Sequence, residues 1–164
     1  MSRALLQELA RHRIASYSVK STRYTLKELK DEASFFNPVD DFEEGISYRE
    51  MIELEYDFKR AEKYVVFTKV FDIDFGIVKA LDTLRYLVAS GLSNDKVKYS
   101  IPEAYKTSLV WTINARSLQN FLALRSSKDA LWEIRELALE VYKQLPEDHK
   151  FLFKDFIKDT NENK

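Results

Sequence analysis

A helix-rich α+β fold in a single domain is what this 164-residue chain predicts. Three observations carry that expectation. Hydrophobic residues make up 45% of the chain, enough to bury one sizeable core. Only 3 Gly and 3 Pro are present, so regular elements are long and tight turns few. Helical periodicity recurs through most of the sequence, whereas strand character appears only in a few short stretches.

In order along the chain, Ser2 caps a helix running to about Arg13, with Leu5, Leu6 and Leu9 at helical spacing. SYSVKSTRY, residues 16 to 24, reads as an extended loop or short strand. Thr25 and Glu28 make a capping box that opens TLKELKDEASFF. Residues 37 to 47, NPVDDFEEGIS, form an exposed acidic loop. A helix follows from about Tyr48 to Tyr64, although YVVFTKVF reads equally well as a strand. The clearest element is a helix from about Asp72 to Ser90, where Ile73, Ile77, Leu81, Leu84 and Val88 line one face. Asn94 caps a short turn ending at Ile101. TSLVWTIN, residues 107 to 114, has strand character. NARSLQNFLALR and Lys128 to Gln144 are helical, and past Pro146 a last amphipathic helix covers about Glu147 to Asp159.

Absences narrow the chemistry. With no Cys, disulfides, thiolate metal sites and cysteine nucleophiles are excluded. The two His, His12 and His149, lie far apart in sequence, so no metal site is expected. Apolar runs such as YVVF and LVA fall far short of the ~20 residues of a membrane span, and MSRALLQELA lacks secretory design. The default location is cytoplasmic, with no membrane partner.

The net charge of −1 conceals a polarity. Residues 1 to 30 carry seven Arg or Lys against Glu8 and Glu28, and residues 31 to 60 reverse this with ten acids against three bases. A basic segment in a neutral protein favours a local anion site over a nucleic-acid surface. Arg11, Arg13 and Arg23, with the hydroxyls of Ser21 and Thr22, can form a phosphate cradle, since guanidinium forks grip phosphate and stay charged. The same arginines also suit a solvated helix C-terminus, and spacing alone leaves both readings open.

NARSLQNFLALRSS, residues 114 to 127, is the second polar constellation. Arg116 and Asn120 share a helix face at i and i+4, while Arg125, nine residues after Arg116, points to the opposite side. Such a helix serves two neighbours, or else Asn114 is a cap and the rest faces solvent. Leu118, Phe121, Leu122 and Leu124 are assigned to the core. Trp111 and Trp132 are packing residues, and His149 is at the surface. No phosphate-binding Gly-rich loop can be built from Gly45, Gly76 and Gly91. Ser21 has no evident base beside it, which leaves phosphate binding as its role.

These residues resemble the flavin-dependent thymidylate synthase family (ThyX). Its signature of Arg-His-Arg, seven residues and Ser stands here as Arg11-His12-Arg13 and Ser21, followed by Arg23-Tyr24. A second signature, Asn-x-Arg-Ser-Leu leading to Leu-Arg, stands as Asn114, Arg116 and, at its end, Arg125. The resemblance implies a ThyX-like fold with a small, mainly antiparallel sheet. It also implies conversion of dUMP to dTMP, with methylenetetrahydrofolate as carbon donor, FAD as cofactor and NADPH as reductant. The lack of Cys is in keeping with a flavin route, which needs no protein nucleophile.

By the same resemblance, Glu8, Arg11, Ser21, Thr22, Arg23, Lys98 and Arg125 bind dUMP. Arg11, His12, Arg13, Asn114, Arg116 and Asn120 bind FAD. Arg125 is the catalytic residue, facing uracil and favouring its ionised form. The sites lie at subunit interfaces of a homotetramer. Three positions depart from the family pattern: Lys98 stands where Arg is more frequent, Val19 replaces a polar residue, and Glu8 replaces a common Gln. The signature begins after ten residues, so the expected chain is N-terminally short, lacking a strand-and-helix segment that contributes flavin contacts. A non-catalytic anion or nucleic-acid binding module, and an inactive truncated ThyX remnant, are the alternatives.

Overall fold

Two of the stretches of strand character pair with each other. In the computed structural model, which describes residues 1–42 and 44–158 and leaves the side chains of Thr22, Arg23 and Tyr24 outside the described set, they are β1 (Ala15–Val19) and β2 (Leu109–Ile113). The pair is antiparallel, with Ala15 opposite Ile113, Tyr17 opposite Trp111 and Val19 opposite Leu109. The helices are α1 (Arg3–Leu9), α2 (Thr22–Lys30), α3 (Tyr48–Glu55), α4 (Phe58–Ala61), α5 (Phe71–Ala89), α6 (Asn94–Val97), α7 (Ala115–Arg125) and α8 (Trp132–Gln144). Short 3-10 turns cover Lys98–Ser100, Glu147–Leu152 and Lys154–Phe156. The expected helix-rich α+β class with a small antiparallel sheet is what the chain adopts. Among the described residues, no helix is long and apolar enough to cross a membrane.

The chain divides into two units. The first comprises Met1, Arg3–Val19 and residues 109 onward. Its core is Leu5 and Leu9 of α1, Leu118, Phe121 and Leu122 of α7, Ile134 and Ala138 of α8, and Phe153. Strand alternation turns Tyr17 and Trp111 inward, where their rings stack with centroids 6.3 Å apart. Trp111 then meets the buried ring of Phe121 edge-on at 4.9 Å. Helix α1 ends at Leu9, short of the expected Arg13, and the His12 N–H returns to the Leu9 carbonyl at 3.1 Å. The Tyr17 hydroxyl lies 2.8 Å from the Leu9 carbonyl and 2.6 Å from that of His12, which fixes this turn. Helix α8 begins at Trp132, four residues later than Lys128. The expected last helix is replaced by the 3-10 turns, whose three-residue period places Phe153 and Phe156 together against the core. Asp159, its expected end, is outside the described residues.

The second unit comprises Ser2 and Lys20–Ser108. Here Leu26 and Leu29 of α2 pack against Val78, Leu81, Leu84 and Val88 of α5, with Phe35, Tyr64 and Tyr105 completing the core. Helix α2 starts at Thr22, ahead of the Thr25–Glu28 box, because the Lys20 N–H closes the strand pairing on Ser108 at 2.8 Å and the chain turns helical directly. The expected helix over Tyr48 to Tyr64 breaks at Tyr56, which bridges to Phe36. Asp57 then recaps the chain as α4 by accepting from the Arg60 N–H at 2.8 Å. YVVFTKVF forms only the single bridge Val65 to Tyr105. Ser93, not Asn94, stands at the N-cap of α6.

Helix α5 matches its expected span, and Ile77, Leu81, Leu84 and Val88 face the core as expected, but Ile73 at its start does not. Ile73 is 52% exposed and Asp74 is buried. The Asp74 carboxylate turns back to accept from the Thr68 N–H at 2.7 Å, the Thr68 hydroxyl at 2.8 Å and the Lys69 N–H at 3.0 Å. These bonds hold Lys69 at φ 67°, a left-handed conformation that costs a non-glycine residue about 1 kcal/mol or more. Asp74→Ala leaves that turn without its acceptor and is expected to destabilise the protein by about 2 kcal/mol. Urea or thermal denaturation checks this, and a loss below about 0.5 kcal/mol contradicts it.

Candidate functional site

The polar residues of the first unit converge. Arg11, His12, Arg13, Arg116, Asn120 and Arg125 line one hollow of about 560 Å3, together with Ile14, Ser117 and Leu124. Among the described residues, four guanidinium groups face it and no carboxylate lines it. Helix α7 supplies half of these groups, and Asn114 starts that helix by accepting from the Ser117 N–H at 2.9 Å. The cap reading of Asn114 is therefore met, and its amide NH2 is left to donate elsewhere. Arg116 sits in the first turn, where the helix dipole is positive and disfavours a cation. Side chain and helix terminus thus both attract an anion.

The expectation that Arg125 points away from Arg116 is corrected. A half-turn separation at Cα does not bind a side chain as long as arginine. Arg125 extends to His12, which itself lines the hollow. Its Nε donates to His12 Nε2 at 3.0 Å, its Nη1 lies 3.0 Å from Glu8 Oε2, and its Nη2 is 3.4 Å from the Glu8 carbonyl. Arg11 Nη1 meets both Glu8 carboxylate oxygens, at 3.1 and 3.2 Å. One carboxylate therefore joins two arginines, the inner one with 17% of its side chain exposed and the outer with 70%. Arg13, Arg116 and Asn120 are exposed.

His12 is held neutral. Burial lowers its pKa below 6.5, and the charges of Arg125 and Arg11 lower it further. Because Nε2 accepts from Arg125, the ring proton belongs on Nδ1. The ring stands edge-on to Phe121 at 5.1 Å. For Glu8, burial acts to raise the pKa, but hydrogen bonds and charge from Arg11 and Arg125 outweigh it and leave the carboxyl below 4.5.

Other candidates lie in the second unit. Ser21 is exposed and immediately precedes α2. Thr22 and Arg23 open that helix, but their side chains are outside the described residues. Lys98 begins a 3-10 turn, exposed, with its ammonium 5.6 Å from the Tyr99 ring centre. Sequence reasoning missed Ile14 and Leu124, the apolar walls of the hollow. Leu124 was assigned to the core but is 55% exposed. It also missed Tyr17, whose signal was its inward place in the strand alternation.

By fold and site this is a helix-rich α+β protein with a guanidinium-lined hollow suited to anionic ligands. The family described as thymidylate synthase complementing protein (Thy1) matches residues 1–149. A flavin-dependent thymidylate synthase of Wolinella succinogenes is 54% identical over 153 residues, covering 93% of this chain and 66% of the relative. One from Campylobacter jejuni is 50% identical over 153 residues, covering 93% and 65%. The chain thus spans just under two thirds of the length of these relatives. The structure of Thymidylate Synthase X (ThyX) from Helicobacter pylori with FAD and dUMP superposes with a TM-score of 0.81 at 44% identity, covering 97% of this chain and 70% of that one. The chain belongs to the Thy1 family.

The two lowered pKa values fix a pH dependence. Below 6.5 an unfolded His12 takes up a proton that the folded protein refuses, so stability falls as pH drops from 6.5 to the folded value. Glu8 acts in a lower window. Its contribution is present above 4.5 and is lost as pH falls through the folded value. The His12 imidazole, followed by NMR, is expected to titrate below 6.5 and to shift upward in Arg125→Leu, while burial still holds it down. A midpoint at or above 6.5 in the unaltered protein contradicts this.

Proposed function

We propose that the protein is a flavin-dependent thymidylate synthase, converting dUMP to dTMP with methylenetetrahydrofolate as carbon donor, NADPH as reductant and FAD as resident cofactor. The observation that carries the reading is the convergence of Arg11, His12, Arg13, Arg116, Asn120 and Arg125 on one hollow that no carboxylate of the described residues lines, in a chain of the Thy1 family. The donor set fits FAD: guanidinium forks and an amide suit a diphosphate, and Ile14 and Leu124 offer apolar contact.

In this reading Arg11, His12, Arg13, Asn114, Arg116 and Asn120 hold FAD. Glu8, Arg11, Ser21, Thr22, Arg23, Lys98 and Arg125 hold dUMP. Bound FAD supplies hydride transfer, so the chain itself needs no nucleophile, in keeping with its lack of Cys. Arg125 presents a fixed positive charge to the uracil ring and favours its ionised form, a task that requires the guanidinium to be held in place. Glu8 and His12 hold it. Neutral His12 does so as an acceptor and adds no competing charge. We further read the two units as one catalytic domain of a cytoplasmic homotetramer, with sites completed at subunit interfaces.

The test is turnover. Purified protein supplied with FAD, NADPH, dUMP and methylenetetrahydrofolate is expected to form dTMP, measured by chromatography, and absence of dTMP from flavin-loaded protein overturns the proposal. Arg125→Ala is expected to lower turnover by roughly a hundredfold or more while flavin absorbance is retained. Near-normal dTMP formation by that variant removes Arg125 from its uracil-facing role.

A further inference from the structure

A larger hollow, of about 620 Å3, lies wholly within the second unit and shares no residue with the one described above. Its wall carries four half-buried rings: Tyr56, Phe58, Phe67 and Phe71. Phe58 lies 5.9 Å from Phe67 and 6.1 Å from Phe71, the latter pair stacked within 25°. The Arg49 guanidinium covers the Phe71 ring at 4.7 Å. An aromatic wall left partly facing water within a concavity is the usual floor of a small-molecule site.

The charges around it are unevenly satisfied. Glu53 is paired with Arg49 at 2.8 Å. Asp57 caps α4 and lies 3.4 Å from the Arg60 Nε. Asp74 is buried and spends both oxygens on Thr68 and Lys69. Each carboxylate of the lining is therefore engaged locally. The ammonium groups of Lys59 and Lys69, exposed at the same hollow, have no hydrogen bond or ion pair among the described residues. Lys69 is, moreover, the non-glycine residue with positive φ among the described residues, held there by the buried Asp74. Backbone strain of this kind concentrates where a side chain must be presented to a ligand.

We propose that this hollow is a second ligand site, taking a planar aromatic anion whose ring lies against Phe58, Phe67 and Phe71 and whose negative group is met by Lys59 and Lys69. The aromatic rings and the two ammonium groups without an ion-pair partner among the described residues face the same space. A neutral hydrocarbon leaves the lysines unanswered, and a bare inorganic anion leaves the rings wet.

The probe is 1-naphthoate, titrated into the full chain by calorimetry, with cyclohexanecarboxylate as the non-aromatic acid of like charge. Saturable 1-naphthoate binding is expected, with cyclohexanecarboxylate about tenfold weaker or worse. Binding is expected to weaken about tenfold in Lys59→Ala, in Lys69→Gly, or in both. Glycine relieves the left-handed backbone at position 69, so that variant removes the ammonium without a folding penalty. Affinity unchanged by saturating FAD and dUMP places the probe outside the first hollow. The proposal is overturned by absence of saturable binding, by equal affinity for the two acids, by wild-type affinity in both lysine variants, or by displacement with FAD or dUMP.

Discussion

The guanidinium of Arg125 is the point on which the site depends. It ends α7, yet it bonds Glu8 of α1 and His12 of the turn beyond, 117 and 113 positions away in sequence. A cation this enclosed is tolerable only with partners. Glu8 answers its charge and His12 its Nε–H. The turn that presents His12 is in turn fixed by the Tyr17 hydroxyl on the carbonyls of Leu9 and His12. The inner cation is thus locked by packing, strand register and two helices together, whereas Arg13 and Arg116 stand exposed toward the hollow.

This division has a chemical sense. A group that must stabilise charge at one atom gains from being fixed beforehand. Groups that grip a flexible phosphorylated ligand gain from reach and can remain solvated until it arrives. One carboxylate, Glu8, sits behind the arginines and joins Arg11 to Arg125 without lining the hollow. It lowers the cost of crowding the two cations and leaves the open face positive.

Much of this was legible in sequence, for identifiable reasons. Asn114 as a cap, the α7 helix and the α5 span follow from local rules that tertiary packing did not override. The class of fold followed from sparse Gly and Pro, from recurrent helical periodicity and from the shortness of the strand-like stretches. What escaped was set by contacts distant in sequence. The break at Tyr56 comes from pairing with Phe36, and the inversion of Ile73 and Asp74 comes from the Thr68–Lys69 turn. Leu124 looked like core because periodicity cannot tell a buried face from the wall of a cavity. Arg125 looked turned away because helical angles locate Cα atoms and not the ends of long side chains. The motif residues Arg11 to Arg13 and Arg116 were recognisable as a set only through resemblance, since their spacing also describes a solvated surface.

The central claim is that the guanidinium-lined hollow is the flavin site. Its most direct measurement is FAD affinity, read by flavin fluorescence, for the unaltered protein and for Arg116→Ala and Asn120→Ala, whose exposed side chains carry no fold contacts among those described. Loss of about tenfold or more in each variant, with melting temperature unchanged, is the predicted result. FAD bound equally well by both variants and the unaltered protein contradicts the account.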